Sequence, residues 1–204
     1  MPIVAVRRAV RRVRYGEPIV LVSGLPRSGT SMMMQMLEAG GLEIVTDGLR
    51  AADESNPQGY YELERVKELD KSGDRAWLRD ARGRGVKIIA YLVRYLPETF
   101  NYRVIFMHRH LDEVLASQTR MLARLGEASE TDDARMRELF IDHIARTKSV
   151  LAHRNCFEVL EVGFTDVLES GPTHADLVNR FLGGRLDTDA MATVVNPKLY
   201  HNRR

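Results

Sequence analysis

The sequence predicts an α/β fold, a three-layer arrangement in which a parallel sheet is covered by helices on both faces, and three observations carry that prediction. Short β-rich apolar runs alternate with segments of helical periodicity. The turn GLPRSGTS, residues 24–31, falls between the apolar run PIVLVS and the pattern MMMQMLEAGG, where a buried strand hands over to a helix. The chain has 204 residues, 44% hydrophobic and 28% charged, enough for one full core and too little for two ordinary domains.

Taken in order, residues 1–16 read as a basic N-terminal segment and residues 17–204 as a single domain. Arg7, Arg8, Arg11, Arg12 and Arg14 put five positive charges in the first fourteen residues. The whole chain carries only +2, so the remainder is mildly acidic and nucleic acid is not the expected partner of the body. The segment is open to three readings: an anionic-surface anchor, a nucleic-acid arm, or a solvated stretch packing loosely beside the first strand. The third is favoured, because short charge runs are usually solvated and this one has no interleaved aromatic residues. Its arginines interrupt every apolar run, which argues against a signal peptide. No stretch approaches the ~20 apolar residues a transmembrane helix needs, and a cytoplasmic location is expected. The single cysteine, Cys156, excludes an internal disulfide and reads as a buried free thiol at the start of a strand.

The expected strands are Pro18–Val22, Val86–Ala90, Arg103–Met107 and Phe157–Val162. Expected helices are Ser31–Gly40, Glu62–Ser72, Leu111–Leu125, Ala134–His153 and His174–Leu182. In the longest, Met136, Leu139, Phe140, Ile144, Val150 and Leu151 approximate the 3.6-residue period of a helix burying one face. The polar stretch GEASETDD, residues 126–133, reads as an exposed loop or lid.

The turn at 24–31 is built to hold an anion. Backbone amides of a glycine-containing loop converge on one point, and the following helix adds unpaired N–H groups and partial positive charge. Gly24 and Gly29 permit unusual backbone angles, Pro26 stiffens the loop, and Ser28, Thr30 and Ser31 bring hydroxyls. A nucleotide-hydrolysing loop of the form GxxxxGK[ST] would carry lysine where Thr30 stands, so Arg27 is expected to supply the fixed charge. The third strand runs RVIFMHRH and ends in basic residues, where a metal-holding carboxylate would be expected of a magnesium-dependent phosphoryl transferase. A less charged group such as a sulfuryl needs less neutralisation, and no metal is required.

Pro26, Arg27, Ser28, Gly29, Thr30 and Ser31 resemble the 5'-phosphosulfate loop of sulfotransferases, usually Pro, Lys or Arg, Ser, Gly, Thr, Thr or Ser. Arg109 and Ser117, eight residues apart in RVIFMHRHLDEVLAS, match the family's pair for the donor's 3'-phosphate. The segment VGFTDVLESGPTHADLVNRFLGG resembles the family's closing stretch, with Phe164, Thr165 and Asp166 in place of Tyr, Glu and Asp; that stretch is architectural in the family. The resemblance spans residue 17 to the end. It implies a sulfotransferase-like nucleotide-binding fold. The implied donor is 3'-phosphoadenosine 5'-phosphosulfate (PAPS), and the implied acceptor is a hydroxyl or amine on a small molecule or glycan.

The acceptor needs a base. The family's cytosolic branch has Lys-Thr-His on the strand before Arg109; here VKIIAYLVRYLP has Lys87 but no histidine, and Ala90 or Tyr91 falls near its place. Strand alternation points His108 and His110 away from the Arg109 side chain, so both read as nucleotide-side or structural. Other branches use a carboxylate after the phosphate-loop helix. In TDGLRAADESNPQGYYELE the candidates are Glu62 and Glu54, with Asp47 third. For Glu62 a helix N-terminal role is an equal alternative. Asn56, Pro57 and Gly59 form a turn, and Tyr60 and Tyr61 either line an acceptor pocket or pack in the core. Lys198, Arg203 and Arg204 read as a solvated basic tail; the alternative that the resemblance implies is a role for Lys198 or Arg203 over the 3'-phosphate. Competing functions are a nucleotide or small-molecule kinase and a non-catalytic nucleotide-binding protein.

Overall fold

The computed structural model describes residues 2–47, 61–71, 74–125 and 132–195. Four strands, β1 (Ile19–Gly24), β2 (Gly85–Lys87), β3 (Tyr102–His108) and β4 (Phe157–Gly163), form one sheet in the order β2-β1-β3-β4, every pairing parallel. Alternation along each strand divides the core in two. Ile19 and Leu21 of β1, with Val104 and Phe106 of β3, face one side; Val20 and Val22, with Ile105 and Met107, face the other. Parallel sheets need cover on both faces, and the helices supply it.

In chain order the helices are α1 (Pro2–Tyr15), α2 (Thr30–Ala39), α3 (Glu64–Lys67), α4 (Leu111–Leu125), α5 (Asp133–His153), α6 (Phe164–Glu169), α7 (Gly171–Leu182) and α8 (Thr188–Thr193). Met33, Met36 and Leu37 of α2, Val178 of α7 and Met191 of α8 cover one face. Leu151 of α5, with Trp77 and Leu78 and the 3₁₀ segment Ala90–Tyr95, covers the other. Each fully buried large apolar side chain contributes about 1.5–3 kcal/mol. Cys156 lies buried in this second layer as a free thiol, and burial pushes its ionisation up to about 11.

Three expectations need correction. Strand β2 stops at Lys87. It is an edge strand; Ile88 still donates to the Val22 carbonyl of β1 at 3.0 Å, after which the chain enters the 3₁₀ segment, where Thr147 of α5 donates to the Ala90 carbonyl at 2.9 Å. Among the described residues of the helix expected over Glu62–Ser72, only Glu64–Lys67 are α-helical, and Ser72 lies outside the described residues. Leu63, Val66 and Leu69 are spaced by three and face the core, and i→i+3 hydrogen bonds such as Leu69 N–H to Val66 O at 3.2 Å wind the chain to that tighter period. The basic segment is solvent-exposed along most of its described length, as expected, but it is not a loose stretch. It is helix α1, tied to the start of β3 and β4 by Arg8 and Arg11. Within the segment expected as a lid, residues 126–131 lie outside the described residues.

Candidate functional site

The site is built where β1 ends. Gly24 has φ 152°, and a Cβ there would stand 2.5 Å from the Met107 carbonyl of β3. Only glycine lets the loop pass this close to the neighbouring strand. The Ser28 hydroxyl donates to the Leu25 carbonyl at 2.7 Å, and the Ser28 amide to the same oxygen at 3.2 Å. Ser28 therefore staples the loop shut; its hydroxyl, expected to face a ligand, is committed to the turn. Gly29, in the left-handed region at φ 95°, precedes α2 without any side-chain cap, so the helix presents its positive end to the loop. Pro26, Arg27, Gly29, Thr30 and Ser31 line a cavity of about 450 Å³, within the range of small-molecule sites.

Arg27 is non-glycine yet has φ 67°. A backbone held this way stores strain and persists only where its surroundings enforce it. Here Arg109 donates from a guanidinium nitrogen to the Arg27 carbonyl at 3.2 Å, and the Arg27 Nε donates to Ser117 Oγ at 3.0 Å. Arg109 follows β3, is almost fully buried, and pairs with Glu113 of α4 at 2.8 Å. Its guanidinium lies 4.3 Å from the centre of the Phe164 ring. The fold thus gathers Arg27, Arg109 and Ser117 into one corner, across more than eighty residues of sequence.

A second cationic group stands at the mouth of α2. Arg27 is turned to Ser117, whereas Lys87, at the end of β2 and 8% exposed, puts its Nζ 3.5 Å from Ser31 Oγ, the outer limit of a hydrogen bond. The same Nζ is 3.8 Å from a Glu62 carboxylate oxygen, and the other Glu62 oxygen is 4.0 Å from Lys67. Glu62 is held by its own backbone: its carbonyl accepts from Thr46 Oγ1 at 2.9 Å and from the Asp47 amide. Its carboxylate thereby lines the cavity beside Lys87 instead of capping α3. That cap is Asp47, which accepts from the Glu64 amide at 2.6 Å. Met32, Leu63, Val66, Ile89 and Leu92 form an apolar wall next to the charged group.

The remaining candidates separate cleanly. Tyr61 donates to Glu38 at 2.6 Å and packs against the α2 side of the core; burial and that bond push its ionisation upward. His110 meets Asp112 at the start of α4 and His108 lies against Gly163; neither lines the cavity. Glu54, Asn56, Pro57, Gly59, Tyr60, Lys198, Arg203 and Arg204 lie outside the described residues. Among the described residues no cluster of three His, Cys, Asp or Glu side chains is placed to hold a metal ion. Sequence reasoning matches Lys87 to the lysine of the family's Lys-Thr-His stretch without giving it a role, and it misses Phe164, which stands in a segment expected to be architectural although its ring touches both Arg109 and the space beside Gly29.

No protein-family model and no curated protein matches the sequence. Solved structures do. A sulfotransferase domain from the curacin biosynthetic pathway superposes with a TM-score of 0.52 at 15% identity, over 85% of this chain and 76% of that one. Mouse sulfotransferase SULT7A1 complexed with PAP gives 0.55 at 19% identity, over 88% of this chain and 63% of that one. A sulfotransferase from Alicyclobacillus acidocaldarius gives 0.51 at 14% identity, over 85% and 83%. The described chain, a parallel four-stranded sheet between helices with a glycine-containing loop after its first strand, has the sulfotransferase-like fold.

Proposed function

We propose that the protein is a PAPS-dependent sulfotransferase acting on a hydroxyl or amine. The observation that carries this reading is the meeting, in one cavity, of two groups: Arg27 and Arg109, with Ser117 bonded to Arg27 behind them, and the Ser31, Lys87 and Glu62 cluster at the mouth of α2. A neighbour of the same fold is complexed with PAP, which supports a bisphosphorylated nucleotide as ligand.

The donor set fits such a nucleotide. Arg109, whose planar fork suits a phosphate, would hold the 3'-phosphate together with Ser117 and Arg27. The amides of the loop and of the first turn of α2 would hold the 5' end, with Lys87 beside them. When bound, the donor supplies an activated sulfuryl group. The loop amides and Lys87 stabilise negative charge developing at the 5' side, and they do so without rearranging. Glu62 receives the proton released by the acceptor, and Lys87, 3.8 Å away, keeps that carboxylate aimed at the cavity. The apolar wall keeps water from competing with the acceptor.

Calorimetric titration with adenosine 3',5'-bisphosphate in chelator should show binding without magnesium. Radiolabelled donor, offered to a panel of alcohols and amines, should then give a labelled product. The variant E62Q should lower turnover about 10²- to 10⁴-fold, the usual worth of a general base, with bisphosphate affinity unchanged. Binding of ATP only with magnesium would point to a kinase instead, and bisphosphate binding with no turnover on any acceptor would point to a non-catalytic binding protein.

A further inference from the structure

Helix α1 has three faces. On the inner one, Arg8 donates to Glu158 at 2.7 Å and to the Phe181 carbonyl at 2.9 Å, and Arg11 donates to Asn101 at 2.9 Å and to the carbonyls of Tyr102, Cys156 and Phe157. The helix is therefore fastened to the protein by arginines. Among the described side chains, three valines point the other way: Val6, Val10 and Val13 are 61%, 58% and 90% exposed. Spaced by four and then three, they lie in one line, and exposed Arg7 and Arg14 on one side and Arg12 on the other border it. This inverts the usual arrangement, in which a surface helix buries its valines and solvates its arginines.

We propose that this face of α1 docks on an anionic lipid surface, the valines entering beneath the headgroups while Arg7 and Arg14 pair with lipid phosphates; Arg12, on the other border, is already paired with Glu17 at 2.7 Å. Charge selects the occupant. Residues 2–15 contain no acidic side chain, so a second copy would bring one all-basic helix against another. The stripe from Val6 to Val13 is about 10 Å long, far too small to centre a protein interface of roughly 1,000 Å² or more. A shallow interfacial helix needs only such a stripe with cationic borders. Arg8 and Arg11 hold the helix at the ends where β3 and β4 begin, and the candidate site lies where the strands end, a strand length away. A docked molecule would keep its cavity open to the aqueous side. The inference stands independently of the proposed reaction.

The test is flotation of the intact chain with phosphatidylcholine vesicles with and without about one-quarter phosphatidylglycerol, at about 0.1 M and 0.5 M salt. Binding is expected to the anionic vesicles alone, and to be lost at the higher salt. A V6Q/V10Q/V13Q variant keeps helix-forming residues and should lose binding at least about tenfold, with an unchanged melting temperature. R7Q/R14Q should weaken binding about thirtyfold, from the worth of two arginines at a charged surface. The proposal is overturned if the wild type fails to float with anionic vesicles at low salt, or if the valine variant floats as well as the wild type. Sedimentation showing a dimer that the valine variant abolishes would overturn it too, with a second copy as the occupant.

Discussion

Arg109 has two tasks that a substitution must not confuse. It faces the cavity, and it is the buried partner of Glu113 at 2.8 Å. Truncation to alanine strands that carboxylate, a loss on the order of 3–5 kcal/mol, and any change in nucleotide affinity would be mixed with unfolding. R109K is the cleaner variant, because it keeps the charge and removes the fork. Bisphosphate affinity measured by calorimetry should fall about tenfold, the share of a charge-assisted contact that depends on bidentate geometry; undiminished affinity would remove Arg109 from the nucleotide site. Lys87 illustrates the same doubling. The loop lacks a lysine at Thr30, and a lysine from a different strand reaches the neighbouring Ser31.

At the scale of elements, the loop and helix α6 depend on one another. A Cβ on Gly29 would stand 2.4 Å from the Phe164 ring, and the φ of 95° disfavours any side chain. G29A should therefore lower stability by about 1–3 kcal/mol, read as a drop in melting temperature. The double variant G29A/F164A should recover bisphosphate binding relative to G29A if the clash is what displaces the loop, while the backbone penalty persists. Full loss in both variants would place the defect in the φ alone. The elements themselves show where sequence reasoning reaches. Helix α4 has the bounds that periodicity gave, Leu111–Leu125, and β1, β3, β4, α2 and α5 are each found within two residues of expectation. Helix α1 was missed because its valine stripe and its arginines are both visible in the sequence, yet only the docking partners decide which of the two faces inward. The stretch Glu62–Ser72 reads as one helix in sequence because an apolar spacing of three is consistent with either winding until the facing core is known.

For the whole molecule, the buried thiol reports on cohesion of the two-layered core. Cys156 ionises near pH 11 in the folded state against an ordinary value of 9.0, because burial penalises the thiolate. A raised acid favours the neutral form, so the stability it lends is fully present below about pH 9 and is lost as pH rises through 11. The melting temperature should fall over that window, and less steeply in C156A. A thiol reagent at neutral pH should leave the native protein unlabelled and react once denaturant opens the core. What the sequence by itself determined was the local grammar: strand and helix periods, and the glycine-containing turn at 24–31 between the first strand and its helix. These follow from short-range geometry, which a run of residues carries within itself. Only the tertiary structure decided that Lys87 supplies the charge beside Ser31, that Glu62 faces it while Asp47 caps α3, and that Phe164 backs both Gly29 and Arg109. Those contacts join strands and loops far apart in the chain, and distance along a sequence holds no record of which side chains the packed sheet will bring together.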